Sequence, residues 1–238
     1  MSMKPILFNT EMVRAILDGR KTCTRRIVKP QQLVGLLPDK CKNGVPEEFL
    51  KEKKLMFKPY CDMTDIELIN TAYKAPYQRG DILYVRETVW QKVGHYLDID
   101  GETKGIFYNE YKYVATDDEP KVGWDHSWIK RPSIHMSKEA ARIWLKVTDV
   151  RVERLQDITP KDAENEGVGN LFYEDIGYSE KNYGTEVDPE YGIAKEQFSW
   201  LWDSTIKKSD LDRYGWEANP WVWIIKFERC DKPESEGN

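Results

Sequence analysis

A cluster of cations and hydroxyl groups stands near the start of the chain, in the run Gly-Arg-Lys-Thr-Cys-Thr-Arg-Arg at residues 19–26. Residues 1–30 contain seven Lys and Arg against two Asp and Glu, whereas the full chain of 238 residues has a formal charge of −5. A concentrated positive spot on an acidic protein favours a small anionic or nucleotide-like ligand over general polyanion binding. A solvated, arginine-rich turn is the alternative interpretation of the same residues.

The elements around this cluster follow from local signals. The apolar run at residues 5–8 predicts a strand, and Asn9 and Thr10 supply an N-cap for a short helix over residues 10–18. Gly19 stands where the left-handed residue after a helix belongs. Residues 24–28 then predict a second strand. The cluster is therefore expected between the end of the helix and this strand.

The rest of the chain predicts an α+β fold with mostly antiparallel strands. Further strands are predicted at residues 82–85, 105–108, 111–115, 141–154 (bulged near residue 149) and 220–227, and helices at 160–166 and 190–203. Residues 31–76 and 168–189 lack clear periodicity and are interpreted as two long insertions, the first with one helix near 47–54. Residues 231–238 are expected to form a flexible tail. A small mixed or antiparallel β-barrel flanked by short helices fits this order best.

Four segments in this order resemble the ASCH family, a branch of the PUA-like β-barrels. Residues 19–26 are similar to the family motif G-x-K-x-x-[ET]-x-R, and Gly-Asp-Ile-Leu-Tyr-Val-Arg-Glu at 80–87 is similar to the family's strand of the pattern PGD-(apolar)-VRE. The strand at 143–152 with the helix that ends in Glu-Gly at 166–167, and Asn-Pro-Trp-Val-Trp at 219–223, resemble the second half of the larger, phage-like or bacterial members. The resemblance implies one ASCH domain over residues 1–230.

The resemblance also implies a function. Members of the family bind RNA or nucleosides; some small bacterial members are amidohydrolases that remove an acyl group from the exocyclic amine of cytidine, and others have been described as ribonucleases. Carried onto this chain, the catalytic residues are Lys21, Thr24 and Glu166. The implied reaction is hydrolysis of an N4-acetylcytidine-like nucleoside, with a non-catalytic RNA or modified-base binding module, or a ribonuclease, as the alternative.

A lysine, a threonine and a glutamate can hydrolyse an acyl group only if the threonine hydroxyl is activated. A threonine hydroxyl is a poor nucleophile until a base takes its proton as it attacks an acyl carbon. Lys21 can be that base only in its neutral form, which the like charges of neighbouring arginines favour. Glu166 would orient Lys21 or protonate the leaving amine. The structural alternatives are a solvent-facing Lys21, a Thr24 chosen for strand propensity and a Glu166 on a helix surface.

Seven further residues are candidates for contacts to substrate or RNA. They are Arg20, Arg25, Arg26, Arg86, Trp90, His135 and Asn219. Four of them have a specific structural alternative: an ion pair with Asp81 or Glu87 for Arg86, core packing for Trp90, a hydrogen-bonded loop for His135 and a turn for Asn219.

Composition restricts the remaining classes. No apolar run reaches the roughly 20 residues of a membrane helix, and the N-terminus lacks the apolar segment of a signal peptide; a cytoplasmic protein is expected. The four Cys stand apart without His at ligand spacing, so no metal and no cofactor are expected. The expected partner is a nucleoside or a short single-stranded RNA. Residues 155–204, with twelve Asp and Glu against three Lys and Arg, leave open a protein that binds a basic partner.

Overall fold

The computed structural model describes residues 3–29, 65–97, 99–100, 102–168 and 189–233. Its strands are β1 (Met3–Leu7), β2 (Cys23–Ile27), β3 (Ile82–Arg86), β4 (Val89–Leu97), β5 (Thr103–Tyr113), β6 (His126–Arg131), β7 (Trp144–Arg154) and β8 (Trp221–Cys230). Its α-helices are α1 (Thr10–Leu17), α2 (Asp65–Ala72), α3 (Pro160–Asn165), α4 (Pro189–Thr205) and α5 (Leu211–Tyr214).

The strands form two sheets. The five-stranded sheet has the order β1-β3-β7-β8-β2, and the three-stranded sheet has the order β5-β4-β6. In the larger sheet β1 and β3 are parallel, while β3 with β7 and β2 with β8 are antiparallel. In the smaller sheet both pairs are antiparallel. The prediction of an α+β chain dominated by strands is confirmed, and no closed barrel is found among the described strands.

The chain divides into two compact units, and each has its own apolar cluster. The first unit comprises residues 1–22, 79–148 and 227–238, and the second comprises residues 23–78 and 149–226. In the first unit, Ile82 and Val89 pack with Met136, Ala140 and Trp144. In the second, the cluster contains Leu155, Ile158, Phe198, Trp202 and Val222 among others. Each cluster joins strand residues to residues of helices or turns.

The helices with clear start signals agree with the sequence. The Asn9 side chain accepts a hydrogen bond from the Met12 amide at 2.8 Å, and α1 ends before Gly19, whose φ is 77°. The Thr159 side chain caps α3 at the Asp162 amide, with Pro160 at the first helical position. These caps satisfy backbone groups that a helix end leaves without partners.

Other elements differ from the prediction. The two strands predicted at 105–108 and 111–115 are one strand, β5, and β4, β6 and α2 were not predicted. The helix predicted near 47–54 and nearly all of the second insertion lie outside the described residues. Within the described residues, no helix has the length and apolar character needed to cross a membrane.

Candidate functional site

Strand β2 distributes the cationic motif over two faces. It pairs antiparallel with β8, with Thr24 opposite Ile225, Arg25 opposite Ile224 and Arg26 opposite Trp223. Successive side chains of a strand point to opposite faces. Thr24 and Arg26 therefore share one face of the strand, and Arg25 occupies the other.

Thr24 and Arg26 are joined directly. The Arg26 Nη1 donates to the Thr24 Oγ1 at 2.8 Å and to the Arg25 carbonyl at 3.0 Å. Burial lowers the pKa of the Arg26 guanidinium from its ordinary value, and the negative charge of Glu166 opposes that shift. Because a guanidinium only donates, the Thr24 hydroxyl accepts from it and keeps its own proton for another partner. Thr24 itself is only 1% exposed.

Arg25 and Glu166 form an ion pair in the interior of the second unit. The Arg25 Nη1 lies 3.1 Å from the Glu166 Oε1, and their side chains are 1% and 4% exposed. The guanidinium also lies over the Phe198 ring, 5.6 Å from its centroid. Among the described residues the Arg25 Nε and Nη2 have no hydrogen-bond acceptor. Glu166 is placed here because it is the C-cap of α3, and Gly167 follows with a φ of 90°.

Lys21 lies in the first unit, just after α1. Its amide donates to the Ala15 carbonyl at 2.9 Å, and its Nζ lies 5.6 Å from the centroid of the Phe8 ring. Lys21 is 2% exposed, so it is not a solvent-facing lysine. Thr24 and Glu166 belong to the second unit. The convergence of Lys21 with those two residues stays a prediction.

A cleft of about 430 Å³ lies beside Arg26 within the second unit. Its lining includes three cations and three aromatic residues: Arg26, Lys29 and Lys74, and Tyr73, Tyr77 and Trp223. Burial raises the pKa of Tyr73 to about 12. None of the described lining residues is acidic. The volume falls within the range of small-molecule sites, and the lining joins rings that stack on a base to cations that attract a phosphate.

The candidates in the first unit lie in separate surroundings. Arg20 pairs with Asp18 at 2.9 Å. The Arg86 Nη2 donates to the carbonyl of Ile134. The Lys130 Nζ lies 5.3 Å from the Trp90 ring centroid.

The two loop candidates differ in how they are held. His135 is exposed in a 3-10 turn. Asn219, in the second unit, has a left-handed φ of 44°. Its Oδ1 accepts from the Gln156 amide at 2.9 Å and its carbonyl accepts from Arg154, which are the contacts of a residue that shapes a turn.

Sequence reasoning missed most of the cleft. Tyr73 and Lys74 fall in the segment 31–76 interpreted as an insertion, and Tyr77 follows directly after it. The close spacing of aromatic and basic residues here is the signal that could have found them. It also missed Arg142, which takes the place of the expected Arg86 ion pair by binding both oxygens of Glu87 at 2.9 and 3.0 Å.

The chain was compared with protein-family models, curated proteins and solved structures. No protein-family model, curated protein or solved structure matches the chain. In the part of the chain that the structure describes, no group of three or more His, Cys, Asp or Glu is placed to hold a metal ion.

Proposed function

We propose that this protein is an ASCH-like, PUA-related nucleoside- and RNA-binding protein, and that the cleft beside Arg26 is where the nucleotide binds. The lining of the cleft carries the proposal: three rings and three cations surround one space, and none of the described lining residues is acidic. Stacking on aromatic rings is tolerant of base identity, whereas cations attract the phosphate. The resemblance of residues 19–26 and 80–87 to the family supports the same class of ligand.

Arg25 and Arg26 supply polar contacts of different kinds. Arg26 lines the cleft, so its guanidinium is the donor for a phosphate or a base carbonyl there. Arg25 is enclosed and paired with Glu166, so it supports β2 from the other face. Affinity therefore depends on Arg26 and the aromatic rings directly, and on Arg25 through the position of the strand.

Titration with cytidine, cytidine monophosphate and a single-stranded RNA of about 12 nucleotides tests this proposal. Tyr77→Ala should weaken RNA binding about tenfold, the effect of losing one stacked base. Lys74→Ala should weaken the two phosphate-bearing ligands and leave cytidine nearly unchanged. Its matched control is Lys161→Ala, an exposed lysine of the same unit paired with Glu164.

Salt dependence provides a second readout. Three cations that contact single-stranded phosphates give a slope of log affinity against log salt of about −2, or about a 15-fold loss between roughly 50 and 200 mM salt. The proposal fails if none of the ligands binds, or if Tyr77→Ala and Lys74→Ala both bind them as the wild type does.

A second candidate function is the amidohydrolase, with Thr24 as nucleophile, Lys21 as base and Glu166 as the accompanying carboxylate. One observation favours it: these three polar side chains are 1%, 2% and 4% exposed, and burial of polar groups requires compensating partners. The hydrogen bond from Arg26 also helps, because a cationic donor stabilises the oxygen of Thr24 as it loses its proton.

The reaction would proceed in two balanced steps. The Thr24 Oγ1 adds to the acyl carbon while its proton passes to a neutral Lys21, and the bond from carbon to the exocyclic nitrogen breaks as that nitrogen takes the proton. Water then hydrolyses the threonyl ester and releases the carboxylic acid. The Glu166 carboxylate accepts a hydrogen bond from Arg25. In this reaction it would contribute its negative charge and would not donate a proton.

The ultraviolet change from N4-acetylcytidine to cytidine measures the activity. Thr24→Val removes the hydroxyl while keeping the shape, and it should lower the rate at least about a hundredfold. Thr22→Val, at an exposed threonine two residues away, is the matched control. Absence of turnover by the wild type, or equal rates for the two variants, rules out the hydrolase and leaves the binding proposal standing.

A further inference from the structure

The outer surface of the three-stranded sheet carries a second set of rings and cations, entirely within the first unit. Cross-strand partners share a face of a sheet. The pairs Trp90 with Lys112 and Lys130, and Lys92 with Trp128, therefore lie on one face of β4, β5 and β6. Tyr108 belongs to the same face. We call this surface, Trp90, Lys92, Tyr108, Lys112, Trp128 and Lys130, the aromatic–lysine face.

The cations alternate with the rings across this face. The Lys92 Nζ lies 6.0 Å from the centroids of both Tyr108 and Trp128, and the Lys112 Nζ lies 5.7 Å from that of Trp128. Lys130 covers Trp90 at 5.3 Å. Three lysines thus stand among three rings. Glu110 pairs with Lys92 at 2.9 Å, and the charge of Asp125 also acts on Lys92. The face is positive on a chain whose formal charge is −5.

A glycine lets one ring lie flat on the sheet. A Cβ built on Gly94 would lie 2.6 Å from the Tyr108 ring, so the ring occupies the space over this residue. Tyr108 is nevertheless 46% exposed. A ring that rests on backbone and turns its other side to solvent is suited to stacking on a base.

The opposite face of the same sheet has a different role. Val89, Tyr111 and Tyr113, whose side chains alternate with those of the aromatic–lysine face, pack in the apolar cluster of the first unit with Met136 and Trp144. The sheet is therefore anchored by one face, and the aromatic–lysine face is the outward one. Core packing does not account for its rings.

We propose that the aromatic–lysine face binds single-stranded RNA, with bases stacked on Trp90, Tyr108 and Trp128 and phosphates held by the three lysines. Sheet-borne aromatic residues stack successive bases in known RNA-binding modules, and interleaved cations neutralise the backbone. The face lies in the first unit and the cleft beside Arg26 in the second, so this site is additional to the one proposed above and does not rest on it.

Two neighbours in β5 provide a matched pair of variants. Tyr108 and Phe107 are 46% and 54% exposed but point to opposite faces of the sheet. Fluorescence anisotropy with a labelled oligouridine of about 12 nucleotides should show about a tenfold loss of affinity for Tyr108→Ala. Phe107→Ala should bind within about twofold of the wild type, and Tyr108→Phe should retain the affinity because the ring remains.

Charge reversal tests the lysines. Each lysine–phosphate contact on a single strand contributes about −0.7 to the slope of log affinity against log salt. The double variant Lys112→Glu and Lys130→Glu removes two such contacts, so its slope should be about 1.4 less steep. Lys121→Glu, an exposed lysine of the loop before β6, should leave the slope unchanged. Thermal unfolding of each variant checks that the fold is intact, and the conservative Tyr108→Phe provides a readout if the alanine variant does not fold.

The outcomes separate this site from the cleft. Loss of oligouridine binding in Tyr108→Ala, with unchanged binding of cytidine monophosphate, supports the aromatic–lysine face. Equal binding by wild type, Tyr108→Ala and the double charge reversal overturns it, whatever the cleft variants do. A deoxythymidine oligomer should bind within a few-fold of oligouridine, because stacking and phosphate contacts do not read the sugar; a preference for a duplex of the same length would also overturn the proposal.

Discussion

Neutralising Glu166 should destabilise the protein far more than neutralising its neighbour Glu164. Glu166→Gln keeps the size and hydrogen-bonding capacity of the side chain but leaves the buried Arg25 guanidinium without a counter-charge. At the observed 3.1 Å and an effective dielectric constant of about 20, the attraction lost is about 5 kcal/mol. Removal of one partner of a buried pair usually costs about 3–5 kcal/mol, a large part of a typical total stability of about 5–15 kcal/mol.

Urea unfolding followed by circular dichroism measures this difference. Glu164→Gln is the control because Glu164 lies on the same helix, is half exposed and pairs with the exposed Lys161 at 2.8 Å, an arrangement worth about 0–1 kcal/mol. The double variant Arg25→Met and Glu166→Leu should recover part of the loss, since it removes the unpaired Arg25 charge and fills a similar volume, while Arg26 still lacks the charge of Glu166. The reasoning is refuted if Glu166→Gln and Glu164→Gln cost the same, or if the double variant is no more stable than Glu166→Gln.

Three further results are expected. Gly94→Ala should displace the Tyr108 ring, because the new Cβ would lie 2.6 Å from it. Oligouridine affinity should fall, while the free energy of unfolding should fall by no more than the roughly 1–3 kcal/mol of an overpacked site, because the half-exposed Tyr108 side chain can move aside. Burial raises the pKa of Tyr73 to about 12, so this phenol loses its proton at lower pH in the unfolded chain than in the folded protein. The stability that it contributes below about pH 10 should therefore decline as the pH rises towards 12. Tyr73→Phe should lessen that decline in unfolding experiments across this range. The Tyr113 amide donates to Asp117 at 2.8 Å and lowers the pKa of that carboxyl, so Asp117→Ala should cost about 1 kcal/mol at neutral pH, and the difference should vanish in acid as the native carboxyl takes up its proton.

The elements with local signals were predictable, and the exposed sheet was not. α1 and α3 follow from caps and periodicity that lie within a few residues, and β8 follows from a dense apolar run. β4 and β6 carry lysines beside tryptophans on an outward face, so they lack the apolar–polar alternation that marks a half-buried strand. α2 was missed for a different reason: the sequence Thr64-Asp65-Ile66-Glu67 has the spacing of a capping box, but residues 31–76 are interpreted as one insertion.

The site was predictable in its residue types more than in its geometry. The crowding of Thr24, Arg25 and Arg26 is visible in the sequence, and a strand over these residues already implies that Arg25 points away from the other two. Its pairing with Glu166, 141 positions later, depends on how α3 ends beside β2, which no local pattern encodes. The cleft likewise needs Tyr73 and Tyr77 to meet Trp223 across a long stretch of chain.

Arg25 lies on one face of β2, and Thr24 and Arg26 lie on the other, which has a consequence for the register of this strand. A slip of β2 by one residue against β8 would exchange its two faces, setting Thr24 or Arg26 against Glu166 and turning Arg25 outward. The slip that brings Thr24 to this position would leave the buried carboxylate without a cationic partner, at a free-energy cost that the apolar strand partners alone would not impose. The slip in the other direction brings Arg26, another cation, and does not carry that cost. The Arg25–Glu166 contact therefore disfavours one direction of slippage between β2 and β8.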